Sequence, residues 1–200
     1  MTVETTSDQT PNPQKPIPPN TLPTPKTHIT THAPSGKASL HASTPTSWTT
    51  YENGAMAFAQ IYTNPVPADL NNNADIDYHA AKIASGTLGL AVKSGTVCRM
   101  VDFAPGYLCM MHRTQSLDFG VVLEGEIEML LDDGSVTSMS RGDVAVQRAT
   151  MHAWRNPSTT TWSRMIFVLQ DTKPLFVDGK RYGEDLGEGT EGVLPSKNDD

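Results

Sequence analysis

Cysteine is scarce in this 200-residue chain. Cys98 and Cys109 are too few for a disulfide scaffold and are not spaced as a metal knuckle, so they read as free, partly buried thiols. Basic charge is short as well: 15 Lys and Arg stand against 22 Asp and Glu, for a net charge of −7. No long basic cluster interrupts the excess, and the electrostatic footprint of a nucleic-acid binder is absent. Long apolar runs are missing too. Nothing approaches the roughly 20 residues of a membrane span, and the N-terminus has neither the basic nor the apolar region of a leader, so the expectation is a cytoplasmic protein without a membrane partner. Helical periodicity is confined to PADLNNNADIDYHAAKIAS, where Asn71 to Asn73 limit the expectation to a loop and a turn or two around Tyr78 to Ile83. His79 in that stretch reads as a surface histidine.

What is present is strand and turn. Residues 1–26, dominated by Pro, Thr, Asn and Gln, bury too little apolar surface to offset chain entropy and are expected to form a disordered or extended arm. Thr27 to Leu40 places two strand-like pieces around Pro34-Ser35-Gly36, and MAFAQIYTN alternates until Pro65 and Pro67 end it. From Gly86 the reading is almost wholly β. Two strands are expected about Lys93-Ser94-Gly95, with Val97, Arg99, Val101 and Phe103 on one face of the second. A long strand then runs to a hairpin at Asp132-Asp133-Gly134, a turn follows at Arg141-Gly142-Asp143, and Thr161 to Asp171 is the last strand. The fold class is all-β, a sandwich or small barrel. One domain is expected over 27–178, with its barrel core at about 86–172 and a flexible tail over 179–200.

Chemistry concentrates in GYLCMMHRTQSLDFGVVLEG, which holds His112 and Asp118, and in GDVAVQRATMHAWRN, which holds His152. Two imidazoles and a carboxylate suit an open metal site, a proton-transfer site or both. Gly106, five residues, His112, one residue, Thr114, three residues, Asp118, six residues and Gly125 resembles the first motif of the cupins, with Thr114 in place of a second His and Asp118 in place of Glu. Gly142-Asp143, His152 and Asn156 resemble the second motif, with Arg148-Ala149-Thr150 in place of Pro-x-Gly and the His one residue early. The stretches HRTQSLDFGVVLEGE and VQRATMHAWRN resemble small single-domain cupins of bacteria and of fungal secondary-metabolite pathways.

The resemblance implies a double-stranded antiparallel β-barrel, jelly-roll-like, open at one end, with the motif residues pointing inward. It also implies a homodimer in which the N-terminal strands pack on a partner barrel. Family members that bind metal use three His and one Glu; carried over, His112, Asp118 and His152 remain, so the cofactor is either none or one divalent ion such as Zn, Fe, Mn or Ni. Asp118 has a second reading, an ion pair with Arg113. If the face that Arg99 shares with Val97, Val101 and Phe103 is interior, its guanidinium either meets an anionic group of the substrate or pairs with Asp102 or another acid at the barrel rim. Arg113, Thr114, Tyr107, Gln147 and Trp154 complete the expected substrate pocket.

Three functions remain open. In the first, His112 and His152 exchange protons with a small carbonyl- or carboxylate-bearing metabolite while Arg99 or Arg113 stabilises an enolate-like intermediate, giving decarboxylation, dehydration, cyclisation or isomerisation. This lyase or isomerase reading is the preferred one. The second is a metal-dependent dioxygenase on His112, Asp118 and His152, and the third a small-molecule-binding protein without turnover.

Overall fold

Alternation along the segment Gly95–Phe103 sets the architecture. Val97, Arg99, Val101 and Phe103 turn inward and are buried, whereas Thr96, Cys98 and Met100 turn outward and are half-buried. The computed structural model describes residues 16–187 and 192–196. Residues 1–15 of the expected arm, and 188–191 and 197–200 of the expected tail, lie outside the described residues.

In chain order the strands are β1 (Lys26–His32), β2 (Ala38–Pro45), β3 (Thr49–Tyr51), β4 (Met56–Pro65), β5 (Gly95–Phe103), β6 (Ser116–Glu124), β7 (Glu126–Leu131), β8 (Val136–Ser140), β9 (Val144–Arg148), β10 (His152–Arg155), β11 (Ser163–Asp171), β12 (Leu175–Val177) and β13 (Lys180–Tyr182). Six of them form one antiparallel sheet in the order β3-β4-β5-β11-β6-β9, and three form a second in the order β10-β7-β8. The two sheets enclose a core in which Val101, Phe103, Val122, Ile127, Met139, Trp154 and Met165 are buried. This is the expected double-stranded barrel. The expected hairpin at Pro34-Ser35-Gly36 is also found: Gly36 takes φ +77°, and β1 and β2 pair only with each other.

Several local expectations are corrected. The segment after Asn71–Asn73 is a full twelve-residue helix, α1 (Ala74–Ser85), longer than a turn or two. Asp75 and Asp77 favour its first turn, Gly86 ends it at φ +61°, and the Tyr62 hydroxyl on β4 donates to Asp75 at 2.6 Å. The expected first strand after Gly86 does not form. Its backbone is satisfied otherwise: the carbonyls of Gly89 and Leu90 accept from the Arg99 guanidinium, and Ala91 N donates to the Ser196 hydroxyl. The expected long strand through Gly125 breaks there. Gly125 takes φ +72°, its missing Cβ would lie 2.6 Å from Ser163 Oγ, and the bend carries the chain from the six-stranded sheet to the three-stranded one. A bulge between Gln60 and Tyr62 also shifts β4 by one residue, so Tyr62 pairs with Cys98 on the outer face instead of following Phe58 inward.

Both ends are tied to the barrel. Asp102 and Arg164 form a buried two-pronged ion pair, with contacts of 2.6 and 2.7 Å. Asn20 donates to Asp102, Arg164 donates to the Pro23 carbonyl, Trp162 donates to the Pro18 carbonyl, and Thr46 N donates to the Pro25 carbonyl. Residues 16–25 are therefore an extended, docked arm. The expectation of a flexible tail is corrected for its described residues. Arg113 and Asp185 exchange backbone hydrogen bonds, Ser196 N donates to Glu184, and Gly187 lies so close to Met111 that a Cβ would be 2.6 Å from its carbonyl. Among the described residues no helix is long and apolar enough to cross a membrane.

Candidate functional site

The first site residues meet through the backbone. His112 N donates to the His152 carbonyl at 2.8 Å and His152 N donates to the His112 carbonyl at 2.9 Å, an isolated antiparallel bridge just before β6 and at the start of β10. It brings the two imidazole centroids to 4.4 Å. Each ring is held by the carbonyl two residues earlier: His112 Nδ1 lies 3.0 Å from Met110 O, and His152 Nδ1 lies 2.9 Å from Thr150 O. A carbonyl only accepts, so Nδ1 carries the proton in both rings and Nε2 is left as the nitrogen that can meet a ligand. The turn that positions Thr150 places Ala149 at φ +52°, a left-handed conformation that a non-glycine residue rarely takes.

The rings face a small cavity of about 70 Å³ between the sheets. Arg99 from β5, Thr114, Asp118 from β6 and Trp154 from β10 share its wall with them, and the rest is apolar, including Phe58, Leu90, Phe167 and Val193. Trp154 stands edge-on to His152 at 5.5 Å and packs on Phe167 at 5.5 Å. Its backbone N–H donates to Cys109 Sγ, and burial pushes that thiol up to about 12, so both cysteines are free and Cys109 is chemically quiet.

Arg99 is 3 % exposed, its guanidinium donates to Gly89 O at 2.6 Å and to Leu90 O at 2.7 Å, and it lies 5.4 Å from the Phe58 ring centre. Its Nε has no partner among the described residues. The expected alternative, a salt bridge to Asp102, is not formed, because Asp102 is taken by Arg164. Asp118 is 4 % exposed; its Oδ2 accepts from the Thr114 hydroxyl at 3.3 Å, while Oδ1 has no partner among the described residues. Its alternative pairing with Arg113 is absent too.

Burial dominates the electrostatics. It lowers His112, and together with the neighbouring His112 it lowers His152 to about 3, so both rings are neutral at pH 7. Burial raises Asp118 to about 6 against the lowering influence of the nearby Ser116 and Thr114 hydroxyls, of which Ser116 donates to Thr114 and Thr114 to the carboxylate, and against the attraction of Arg99. Arg99 is lowered to about 10 by the same burial and remains a cation. The group in the cavity whose proton moves near neutral pH is thus Asp118, whereas the histidines are neutral acceptors at Nε2.

Of the expected site residues, His112, His152, Arg99, Asp118, Thr114 and Trp154 line one cavity, and three do not. Tyr107 is held a layer behind, its hydroxyl 3.8 Å from Met56 Sδ. Gln147 points inward but is spent on Met129 Sδ and the Thr150 hydroxyl. Arg113 turns to the tail: Nε donates to Gly183 O at 2.8 Å, and its guanidinium lies 4.8 Å from the Tyr182 ring centre. The wall residues not foreseen include Leu90, Phe167 and Val193. Phe167 was discoverable from β11 alternation, but nothing local marks Val193.

The expected metal set is not assembled. Among the described residues no group of three His, Cys, Asp or Glu side chains is placed to hold a metal ion. His112 and His152 supply two nitrogen donors, but the Asp118 carboxylate, one methylene shorter than Glu, stays with Thr114 on its own wall. The residues present therefore do not fit a three-ligand site of His112, Asp118 and His152.

No family model matches the chain. The chain is 41% identical over 182 residues to the phomopsin biosynthesis cluster protein C' of Diaporthe leptostromiformis, covering 88% of this chain and 94% of that one. It is 40% identical over 147 residues to the cupin-domain-containing oxidoreductase srdD of Neurospora crassa, covering 72% of this chain and 69% of that one. Among solved structures, the cupin-2 domain Rru_A2000 from Rhodospirillum rubrum matches with a TM-score of 0.43 and 11% identity over 66% of this chain and 75% of that chain.

Proposed function

The chain belongs to the cupins, and from that premise we propose that it is an enzyme of secondary metabolism acting on a small carbonyl- or carboxylate-bearing metabolite by proton transfer through an enolate-like intermediate. The observation that carries this reading is a pair of buried atoms on the wall of one cavity that have no partner among the described residues: Arg99 Nε, a cationic donor, and Asp118 Oδ1, an acceptor. The substrate carbonyl oxygen accepts from Arg99 Nε. Asp118 takes a proton from the adjacent carbon; the C–H bond breaks, an O–H bond forms on the carboxylate, and the electron pair moves onto the carbonyl oxygen beside the guanidinium. Return of the proton to another carbon completes an isomerisation, and its delivery to a departing β-hydroxyl releases water and completes a dehydration; in a decarboxylation the bond to the carboxylate breaks in place of the C–H bond, carbon dioxide leaves, and protonated Asp118 delivers its proton to the resulting enolate carbon. His112 and His152 accept hydrogen bonds from the substrate at Nε2 and orient it. The roles of base and acceptor are thus exchanged relative to the sequence-based expectation, because burial depresses the histidines and raises the carboxyl.

Relatives named oxidoreductases favour a second reading, oxidation of the same substrate. One experiment separates the two. The metabolite that accumulates when the gene is deleted is offered to the purified protein in D₂O under ¹⁸O₂. A product without ¹⁸O, carrying deuterium where a proton returns to carbon or lacking the elements of water, supports proton transfer; ¹⁸O in the product overturns it in favour of oxidation, and ligand retained with no product overturns both in favour of binding alone.

For the assembly we propose a homodimer. The outer face of the six-stranded sheet presents Phe119, Val144 and Val146 at 38%, 57% and 53% exposure, continuous through the register with half-buried Val168, Cys98, Ile166 and Met100. The hairpin β1-β2 pairs with no other strand of its own chain. A lone hairpin is marginal in water, and an apolar sheet face of this kind favours burial against a second copy.

A further inference from the structure

A second, larger chamber of about 480 Å³ adjoins the inner cavity, with Phe58, Leu90, Arg99 and Val193 lining both. It lies between the end of the N-terminal hairpin, β4, α1 and residues 192–194. The inner cavity holds about two waters' worth of space. A substrate that reacts there must keep most of its atoms in the outer chamber.

The outer wall carries four buried polar atoms without a partner among the described residues: Thr46 Oγ1, Gln60 Oε1, His79 Nδ1 and Arg99 Nε. Buried donors and acceptors are ordinarily paired, and each one left bare is destabilising. Thr46 is 8% and Arg99 3% exposed, so these are not solvated surface groups. His79, expected on the surface, is half-buried and stacked on Tyr62 with centroids 4.7 Å apart. The aromatic pair Tyr51 and Phe58, 4.9 Å apart, supplies apolar wall beside them.

Gln60 and Arg99 are direct register partners across β4 and β5, so their side chains leave the sheet next to each other. One offers a carbonyl acceptor and the other an N–H donor. We propose that this pair recognises an amide of the substrate: its C=O accepts from Arg99 Nε, its N–H donates to Gln60 Oε1, the carbon side of the amide points into the inner cavity, and the nitrogen side carries the body of the molecule into the outer chamber. The inference rests on the proton-transfer reading only for what happens at the carbon side. It deepens that reading by making the activated carbonyl an amide carbonyl. Thr46 and His79 then meet polar groups further along the body, and the aromatic wall meets its apolar part.

The test needs no turnover. N-benzylacetamide and benzyl acetate have nearly the same shape, but only the amide has the N–H. Titrated into the full chain and followed by NMR, the wild-type protein binds the amide about three- to tenfold more tightly, as one neutral hydrogen bond allows. Gln60→Leu abolishes the preference, and Gln60→Glu, which keeps an acceptor, retains it. Equal binding of the two compounds, a preference that survives Gln60→Leu, or no binding of either up to its solubility limit would each overturn the proposal. A protein that prefers the amide yet yields an ¹⁸O-labelled product contradicts the proton-transfer reading and not the amide site.

Discussion

Replacing Asp118 by asparagine is expected to stabilise the protein at pH 7 and to leave it nearly unchanged near pH 4. The Asp118 carboxyl is 4 % exposed, and burial raises it from 3.8 to about 6. An acid raised on folding favours the native state while protonated. That contribution is fully present below 3.8 and is lost as pH rises through about 6, because the buried group must then ionise where water cannot reach it. A displacement of roughly two pH units at about 1.4 kcal/mol per unit corresponds to about 3 kcal/mol. Asparagine is neutral at every pH and can accept from the Thr114 hydroxyl as the carboxylate does. The variant should therefore gain up to about 3 kcal/mol over wild type at pH 7, or about 1.5 M in the urea midpoint for a urea slope of about 2 kcal/mol per molar. The gain should fade as pH falls from about 6 towards 4. His152, lowered to about 3, makes both proteins lose stability as pH falls below 6.5, and this cancels in the difference. Urea melts followed by tryptophan fluorescence at several pH values give the comparison directly. A variant less stable than wild type at pH 7, or a difference that does not change with pH, would refute the reasoning and show that attraction between Asp118 and Arg99 outweighs burial.

Asp102→Ala leaves Arg164 buried without its carboxylate and should cost roughly 3–5 kcal/mol in denaturant melts, with residues 16–25 becoming protease-sensitive at the same time. Gly89→Ala places a Cβ 2.6 Å from the Ser196 Cα, so residues 192–196 should lose protection in hydrogen exchange while strands β5 and β11 keep theirs. Phe119→Glu puts a charge in the middle of the exposed apolar sheet face and should convert a dimer to a monomer in sedimentation without shifting the far-ultraviolet spectrum; an unchanged mass would argue against that face as the interface.

Strand alternation made much of the barrel legible, because period two assigns each side chain to a face. It put Val97, Arg99, Val101 and Phe103 inside, and the turns at Asp132-Asp133-Gly134 and Arg141-Gly142-Asp143 were readable from their residues. Motif spacing found His112 and His152. Face is not depth, however: Gln147 and Tyr107 both turn towards the interior but end against Met129 and Met56, a layer away from the cavity. Contacts between distant segments were beyond local reading. Arg113 is drawn off by Asp185 and Tyr182, and Val193 joins the cavity from a Gly-rich tail whose composition suggests only mobility. The length of α1 was hidden by Asn71–Asn73, whose left-handed residues turn the chain just ahead of the helix without shortening it.

The docked arm over 16–25 contains Pro16, Pro18, Pro19, Pro23 and Pro25, five residues with no N–H to give. It is fastened chiefly through its carbonyls, which receive Trp162, Arg164 and Thr46, the first two supplied by residues synthesised about 140 positions later. A ribbon so poor in donors makes a bad template for a neighbouring strand, and while it waits for its anchors it is poorly equipped to extend a sheet with another nascent chain. Nor does peeling it away strand a row of its own amides. The arm is in this sense a seam that covers the barrel wall without itself offering an aggregation-prone edge.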